Sequence, residues 1–307
     1  MALQFRYNPP SQELPKCSAI VSGVTTFREY RVENYRTTLS LKAVTQGQAI
    51  YRTRQDIYRV DDSVFLLLNE GQEYSMQIKP GLRTETLCPF FQPGLVSHVA
   101  RVQKRPHAGQ LDQPEPIGGH YEVRERLYAK DGRVAACLHA LEQSGKAPAA
   151  WLEDQFLRLA EVLVDLTTEE ARREAAFPGA RPATRAEMYR RLHRARDFLQ
   201  SCYDQPLTVA GVARVASLSP FHFQRLFREA FGRTPMQYLQ ARRLAVAQRL
   251  LASTDRPVTD ICFDVGFESL GAFSWLFRRR LGLSPKEFRS NSAGLKKSRP
   301  APLSILD

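Results

Sequence analysis

The chain has 307 residues, 43% of them hydrophobic and 25% charged, which suits folded globular domains and excludes a chain disordered throughout. No run of about 18 apolar residues occurs, so no membrane-spanning helix is expected. The net charge is +12, and it is unevenly placed: residues 1–184 hold 23 Lys and Arg against 22 Asp and Glu, whereas residues 185–307 hold 21 against 10. A chain with its excess charge at one end is expected to meet a polyanion there.

Cys17, Cys88, Cys137, Cys202 and Cys262 are far apart and form no CxxC pair. The first residues, "MALQFRYNPPSQELPK", lack the apolar centre of a signal peptide. Together these features predict reduced thiols in a cytoplasmic protein.

From Thr25 to about Phe91 the pattern is strand-like. The runs "TTFREYRVEN", "TTLSLKAVT", "AIYRTRQDIYRV", "SVFLLLNEG" and "EYSMQIKPG" are rich in β-branched and aromatic residues, with turn signals between them. Short strands at this spacing predict an antiparallel sandwich or barrel. Tyr58, Phe65 and Tyr74, with Tyr51, Phe90 and Phe91, are candidates to line an effector pocket. Arg52, Arg54 and Arg59 are candidates to meet an acidic effector. The same alternation also fits a filled core with its arginines facing water.

No chemistry is legible in this half. His98, His107, His120 and His139 are scattered with no HxH pair, so no metal site is expected. There is no Gly-rich phosphate loop and no GxSxG, so neither a cofactor nor an enzyme activity is expected.

The Pro- and Gly-rich stretch Lys104 to His120 reads as a loop. Beyond it, "GRVAACLHALEQSG" reads as a short helix and "AAWLEDQFLRLAEVLVDLTTEEARRE" as a longer one. The apolar stripe of the longer helix can pack on its own domain or on a second copy of the chain. "AFPGARPAT" reads as an interdomain linker, and the charge shift falls just past it.

The most informative feature is a repeat. "SPFHFQRLFREAFGRTP" begins at Ser219, and "SLGAFSWLFRRRLGLSP" begins fifty residues later at Ser269. Phe223 matches Phe273, Leu226 matches Leu276, and Phe227 matches Phe277. Arg228 matches Arg278, Gly232 matches Gly282, and Pro235 matches Pro285. Each copy has a capping serine, an apolar face, a basic outer face and a closing glycine. The short helical runs "LTVAGVARVAS" and "VTDICFDVGFES" precede them. A short helix, a tight turn and a basic second helix make a helix-turn-helix, whose second helix can enter the major groove. Cys262 falls where a small buried side chain is wanted. Between the copies, "PMQYLQARRLAVAQRLLAST" predicts a helix of about 17 residues, roughly 25 Å long, able to hold the two reading helices about one DNA turn apart.

Residues from about Thr184 to Arg289 resemble the DNA-binding domain of the arabinose-regulator (AraC/XylS) family of bacterial transcription factors. The "GFES" turn, followed by "LFRRRLGLSPKEFR", carries the resemblance. It implies base-reading positions at Phe221, Gln224 and Arg225 in the first unit, and at Leu270, Gly271, Ala272, Ser274 and Trp275 in the second. Arg228, Arg278, Arg279 and Arg280 are expected to meet the DNA backbone. Leu270, Gly271 and Ala272 offer no side-chain hydrogen bond, a departure from relatives that read with polar residues in both helices. The N-terminal half resembles the family's cupin-type sensing domain.

The expected organisation is a cupin-like antiparallel β-sandwich with trailing helices over residues 1–175 and a linker over 176–184. An all-α domain of two helix-turn-helix units joined by a linker helix follows over 185–290, then a flexible tail over 291–307. The expected function is sequence-specific regulation of transcription, most often activation, in response to a small effector. The alternative is an N-terminal half that only dimerises or binds a protein. The partners implied are double-stranded DNA at promoters, a small-molecule effector, a second copy of the chain and RNA polymerase, with no membrane.

Overall fold

The structure is a computed structural model that describes residues 3–5, 17–25, 29–81, 83–104, 121–145, 147–178 and 181–294. It divides into two compact units, Met1–Pro182 and Ala183–Asp307.

Among its described residues the first unit contains ten strands: β1 (Leu3–Phe5), β2 (Ala19–Thr25), β3 (Tyr30–Arg36), β4 (Ser40–Gln46), β5 (Gln48–Arg52), β6 (Ile57–Asp61), β7 (Val64–Leu68), β8 (Glu73–Ile78), β9 (Thr84–Phe90) and β10 (Leu127–Ala129). They form one sheet in the order β1-β2-β9-β4-β7-β10 and another in the order β3-β8-β5-β6. All pairings are antiparallel except β1 with β2, which run parallel.

Three helices cover the outer face of the six-stranded sheet: α1 (Leu95–Lys104), α2 (Gly132–Glu142) and α3 (Ala149–Ala176). Leu41, Phe65, Leu67 and Leu87 of the sheet share a core with Val134, Leu138, Phe156 and Leu159 of the helices. On the inner face, Val44, Leu66 and Leu68 pack with Tyr51, Tyr58, Val60 and Tyr74 of the second sheet. The layers are therefore sheet, sheet and helices.

This corrects the cupin-like expectation. Among the described residues neither sheet closes into a barrel: each is open, ending at β1 and β10 or at β3 and β6. The physical reason is that the central sheet is buried on both faces. β7 reads Val-Phe-Leu-Leu-Leu with every residue buried, the mark of a strand covered on two sides. Closing such a sheet on itself would leave no face for the helices.

The stripe on α3 packs within its own domain. Leu152, Phe156, Leu159, Ala160, Leu163 and Val164 are buried there, while Trp151 and Leu157 remain at the surface. The run "AIYRTRQDIYRV" is not one strand but the hairpin β5–β6. His98 lies on α1, whereas His107 and His120 lie outside the described residues.

The second unit is helical: α4 (Pro182–Ser201), α5 (Val209–Val215), α6 (Pro220–Phe231), α7 (Pro235–Ser253), α8 (Val258–Asp264), α9 (Leu270–Leu281) and α10 (Pro285–Gly294). Of the expected linker, Ala176 closes α3 and Pro182 opens α4. Of the expected tail, residues 291–294 belong to α10 and the rest lies outside the described residues.

Candidate nucleic-acid interface

The two copies of the repeat are built by the same local rules. Thr208 caps α5, its hydroxyl accepting from the Gly211 amide at 3.1 Å. The chain turns through Ser217, and the Leu218 amide donates to the Ala213 carbonyl at 3.0 Å. Ser219 then caps α6 with Pro220 in the first turn, and Gly232 ends it at a φ of 69°. In the second copy the Phe267 amide donates to the Cys262 carbonyl at 3.1 Å, Ser269 caps α9, and Gly282 ends it at 78°. Thr234 makes a capping box with Gln237 at the start of α7. Ser284 and Glu287 do the same before α10, at 3.3 and 2.7 Å.

Within each unit a ladder of rings forms the core. Phe223 meets Phe227 at 5.3 Å between centroids, and Phe227 meets Tyr238 at 5.9 Å. Phe273 meets Phe277 at 5.6 Å, and Phe277 meets Phe288 at 5.7 Å. Phe223, Phe227, Phe273 and Phe277 are fully buried. Cys262 is buried too, as its place in the repeat predicts.

The turns differ by one residue. The turn hydrogen bonds of the two copies are forty-nine residues apart, whereas the caps Ser219 and Ser269 are fifty apart. The left-handed position is Ser217 (φ 52°) in the first copy and Gly266 (φ 91°) in the second. A Cβ on Gly266 would lie 2.9 Å from Arg243 Nη2 and 2.9 Å from the Tyr203 carbonyl oxygen. Glycine is required there both by backbone angle and by space.

Arg243 explains that crowding. It donates from Nε to the Tyr203 carbonyl at 2.7 Å and from Nη2 to the Gln205 carbonyl at 2.8 Å, and stacks on Phe267 at 5.8 Å. One side chain on α7 thus joins the loop before the first helix-turn-helix to the turn of the second. Burial draws its proton affinity below that of a free guanidinium. The neighbouring Arg242 is fully buried, stacked on Tyr203 at 5.0 Å. With its amide oxygen turned toward Arg242, Gln200 accepts from Nη1 at 3.1 Å and Nε at 3.2 Å. Arg196, also buried, pairs with Asp197 at 2.7 Å. These arginines hold the core and are spent on it. Sequence reasoning missed all three because their partners are remote or their burial has no local signature.

The outward residues are of another kind. Gln224, Arg225 and Arg228 on α6 are exposed, and Phe221 at its start is 80% exposed. On α9, Leu270 is 38% exposed and Trp275 60%, with Gly271 and Ala272 also exposed and Ser274 half-buried. Arg278, Arg279 and Arg280 are exposed, and Arg279 lies over the Trp275 ring at 5.0 Å. Phe263 on α8 is exposed as well, a residue the sequence pattern did not single out.

Among the described residues none of Arg225, Arg228, Arg278, Arg279 and Arg280 forms an ion pair. Elsewhere in the unit acids do take up arginines: Glu187 pairs with Arg190 and Arg191 at 2.6 Å each, and Asp264 pairs with Arg256. The Glu287 carboxyl, held below its usual range chiefly by hydrogen bonds at Ser284, feels Arg278 only as a lesser influence. Unneutralised guanidinium groups on paired recognition helices are a surface for the phosphates and base edges of a duplex.

The effector candidates do not form one pocket. Tyr58 and Tyr74 lie between the sheets, but Phe65 faces the helices and stacks on Tyr128 at 5.5 Å. Arg52 and Arg54 are exposed, and Arg59 is half-buried. All three alternate with the inward Tyr51, Tyr58 and Val60, or lie in the hairpin turn. Lys42, which sequence reasoning passed over, is fully buried between the sheets.

Among the described residues no group of three or more His, Cys, Asp or Glu can hold a metal ion. No helix among them is long and apolar enough to cross a membrane.

Two capped helix-turn-helix units with basic outward faces define a DNA-binding protein. A protein-family model described as a helix-turn-helix domain matches residues 212–291. The chain is 36% identical over 93 residues to the regulatory protein SoxS of Salmonella typhimurium (strain LT2), spanning 30% of this chain and 87% of that protein. It is 38% identical over 99 residues to the HTH-type transcriptional activator RhaS of Enterobacter sp. (strain 638), spanning 32% and 36%. A solved structure of an AraC-type DNA-binding domain-containing regulator from Chromobacterium violaceum is 28% identical, covering 34% of this chain and 92% of that one, with a TM-score of 0.32. The chain belongs to the arabinose-regulator (AraC/XylS) family of transcription regulators. It is a DNA-binding transcription regulator.

Proposed function

We propose that the chain is a sequence-specific activator whose two recognition helices, α6 and α9, enter successive major grooves of a promoter, and whose first unit senses a small effector and dimerises. The observation that carries the DNA reading is the set of five exposed arginines without acidic partners on these two helices, in a unit that pairs or buries others. Gln224 and Arg225 read bases in the first groove, pairing with adenine and with guanine. Phe221, Leu270, Ala272 and Trp275 make apolar contacts to sugars or thymine methyls, Gly271 lets α9 sit close to the bases, and Ser274 contacts a base edge. Arg228, Arg278, Arg279 and Arg280 meet phosphates.

Trp151 and Leu157, left exposed on α3, support a contact with a second copy of the chain. Contact with RNA polymerase follows from the activator reading. Binding of the purified protein to genomic fragments, with the bound sites sequenced, tests the proposal. Shared sites with two conserved blocks about 10 bp apart are expected. Uniform retention of all fragments contradicts it.

A further inference from the structure

Lys42 stands on β4, a central strand of the six-stranded sheet, and faces the second sheet. It is 0% exposed, and its Nζ has no hydrogen-bond acceptor among the described residues. Rings surround it instead: the Tyr74 centroid lies 4.4 Å from Nζ and the Phe90 centroid 3.8 Å. Cys88 lies across from it on β9, by the register that pairs Ser40 with Phe90 and Ala43 with Leu87. The Tyr51 hydroxyl is 3.7 Å from Cys88 Sγ. No carboxylate is among these neighbours. Two aromatic faces attract an ammonium but supply none of the three acceptors its N–H groups need.

We propose that Lys42 anchors a binding site between the sheets for a small carboxylate, with the Tyr51 and Tyr74 hydroxyls as further donors. This rests on the effector-sensing reading of the first unit and names the chemistry of the effector. A buried cation without an acceptor is costly, and an entering carboxylate supplies both a countercharge and acceptors. Tyr35 marks the way in. It is half-buried on the edge strand β3, edge-on to the same Tyr74 and Phe90 rings at 5.7 and 6.2 Å. The β3–β8 register shifts between Val32 and Tyr35, and Asn34 there has a φ of 48°. A ring at a bulged sheet edge can swing out without breaking the central sheet.

Desolvation lowers the Lys42 pKa to about 7. Of the groups facing it, Cys88 opposes this only in part, and burial pushes the phenols of Tyr51, Tyr74 and Tyr35 up, so they stay neutral. A bound carboxylate favours the ammonium and must raise that midpoint.

The full chain, labelled with 13C and 15N in lysine, is titrated with pH by NMR in chloride, formate, acetate and benzoate at equal ionic strength, with acetamide and benzamide as uncharged controls. Lys42 is recognised by a midpoint near 7, far below that of an exposed lysine. At least one carboxylate should raise it by a unit or more, and the amides should not. The same carboxylate should raise the Tm of the wild type but not of Lys42→Met, a change of similar volume that removes the orphaned charge. A midpoint unmoved by every carboxylate overturns the site. An equal Tm gain in both proteins moves the ligand elsewhere, leaving effector sensing intact and Lys42 excluded. A raised midpoint with unchanged promoter affinity keeps the site and overturns its role in sensing.

Discussion

The two helix-turn-helix units share a core and differ at most outward positions, Arg228 and Arg278 being the exposed residue they keep in common. Phe223 and Phe227 in one, and Phe273 and Phe277 in the other, are buried to the same degree. Outside, α6 presents Gln224 and Arg225 where α9 presents Ser274 and Trp275. The aromatic ladder, the caps and the closing glycine are what the fold requires, so both copies keep them. The solvent face is free of that requirement and has diverged. The turns tell the same story at smaller scale, with Ser217 tolerated in the left-handed position where Gly266 is enforced by Arg243.

The largest test of the shared core is truncation of its rings. Phe223→Ala and Phe273→Ala should each cost about 3–5 kcal/mol of stability, read by urea denaturation of the full chain. A cost confined to one copy would break the equivalence of the cores. The turns should separate the units more finely. Gly266→Ala should cost about 1–3 kcal/mol from backbone strain and its clash with Arg243, whereas Ser217→Gly should be neutral or slightly stabilising. Equal responses would contradict the asymmetry.

On the surface, Arg225→Ala should remove about 1–3 kcal/mol of discrimination between the matched duplex and one altered at its guanine. Equal weakening of both duplexes would place Arg225 on phosphate. Arg278→Ala should instead weaken all duplexes evenly and reduce the slope of log affinity against log salt by about 1. The smallest effect is expected for Arg279, whose stacking on Trp275 preorganises the guanidinium. Trp275→Ala should cost about 0.5–1 kcal/mol in DNA binding, and double-mutant cycles with Arg279→Ala should show less than additive losses.

The repeat was legible because its determinants are local. A serine three residues before the amide it caps, rings three and four apart, and a terminal glycine can all be read within one helix. The arginines that hold the core were not, because a residue such as Arg243 meets Tyr203 and Gln205 some forty residues away. Sheet closure is non-local in the same way, and short apolar runs alone did not distinguish an open sandwich from a barrel. The signal that was available is the unbroken Val-Phe-Leu-Leu-Leu of β7, which implies cover on both faces. Lys42 sits in an alternating strand where a lysine normally faces water, and only the second sheet turns that position inward.

The claim that both units read DNA is tested most directly by guanine methylation interference on one bound promoter site, using full-length protein. Two interfering major-groove patches, centred about 10–10.5 bp apart on one face of the duplex, are predicted, with Arg225→Ala erasing contacts in one patch alone. A single patch unaffected by substitutions on α9 would contradict the account.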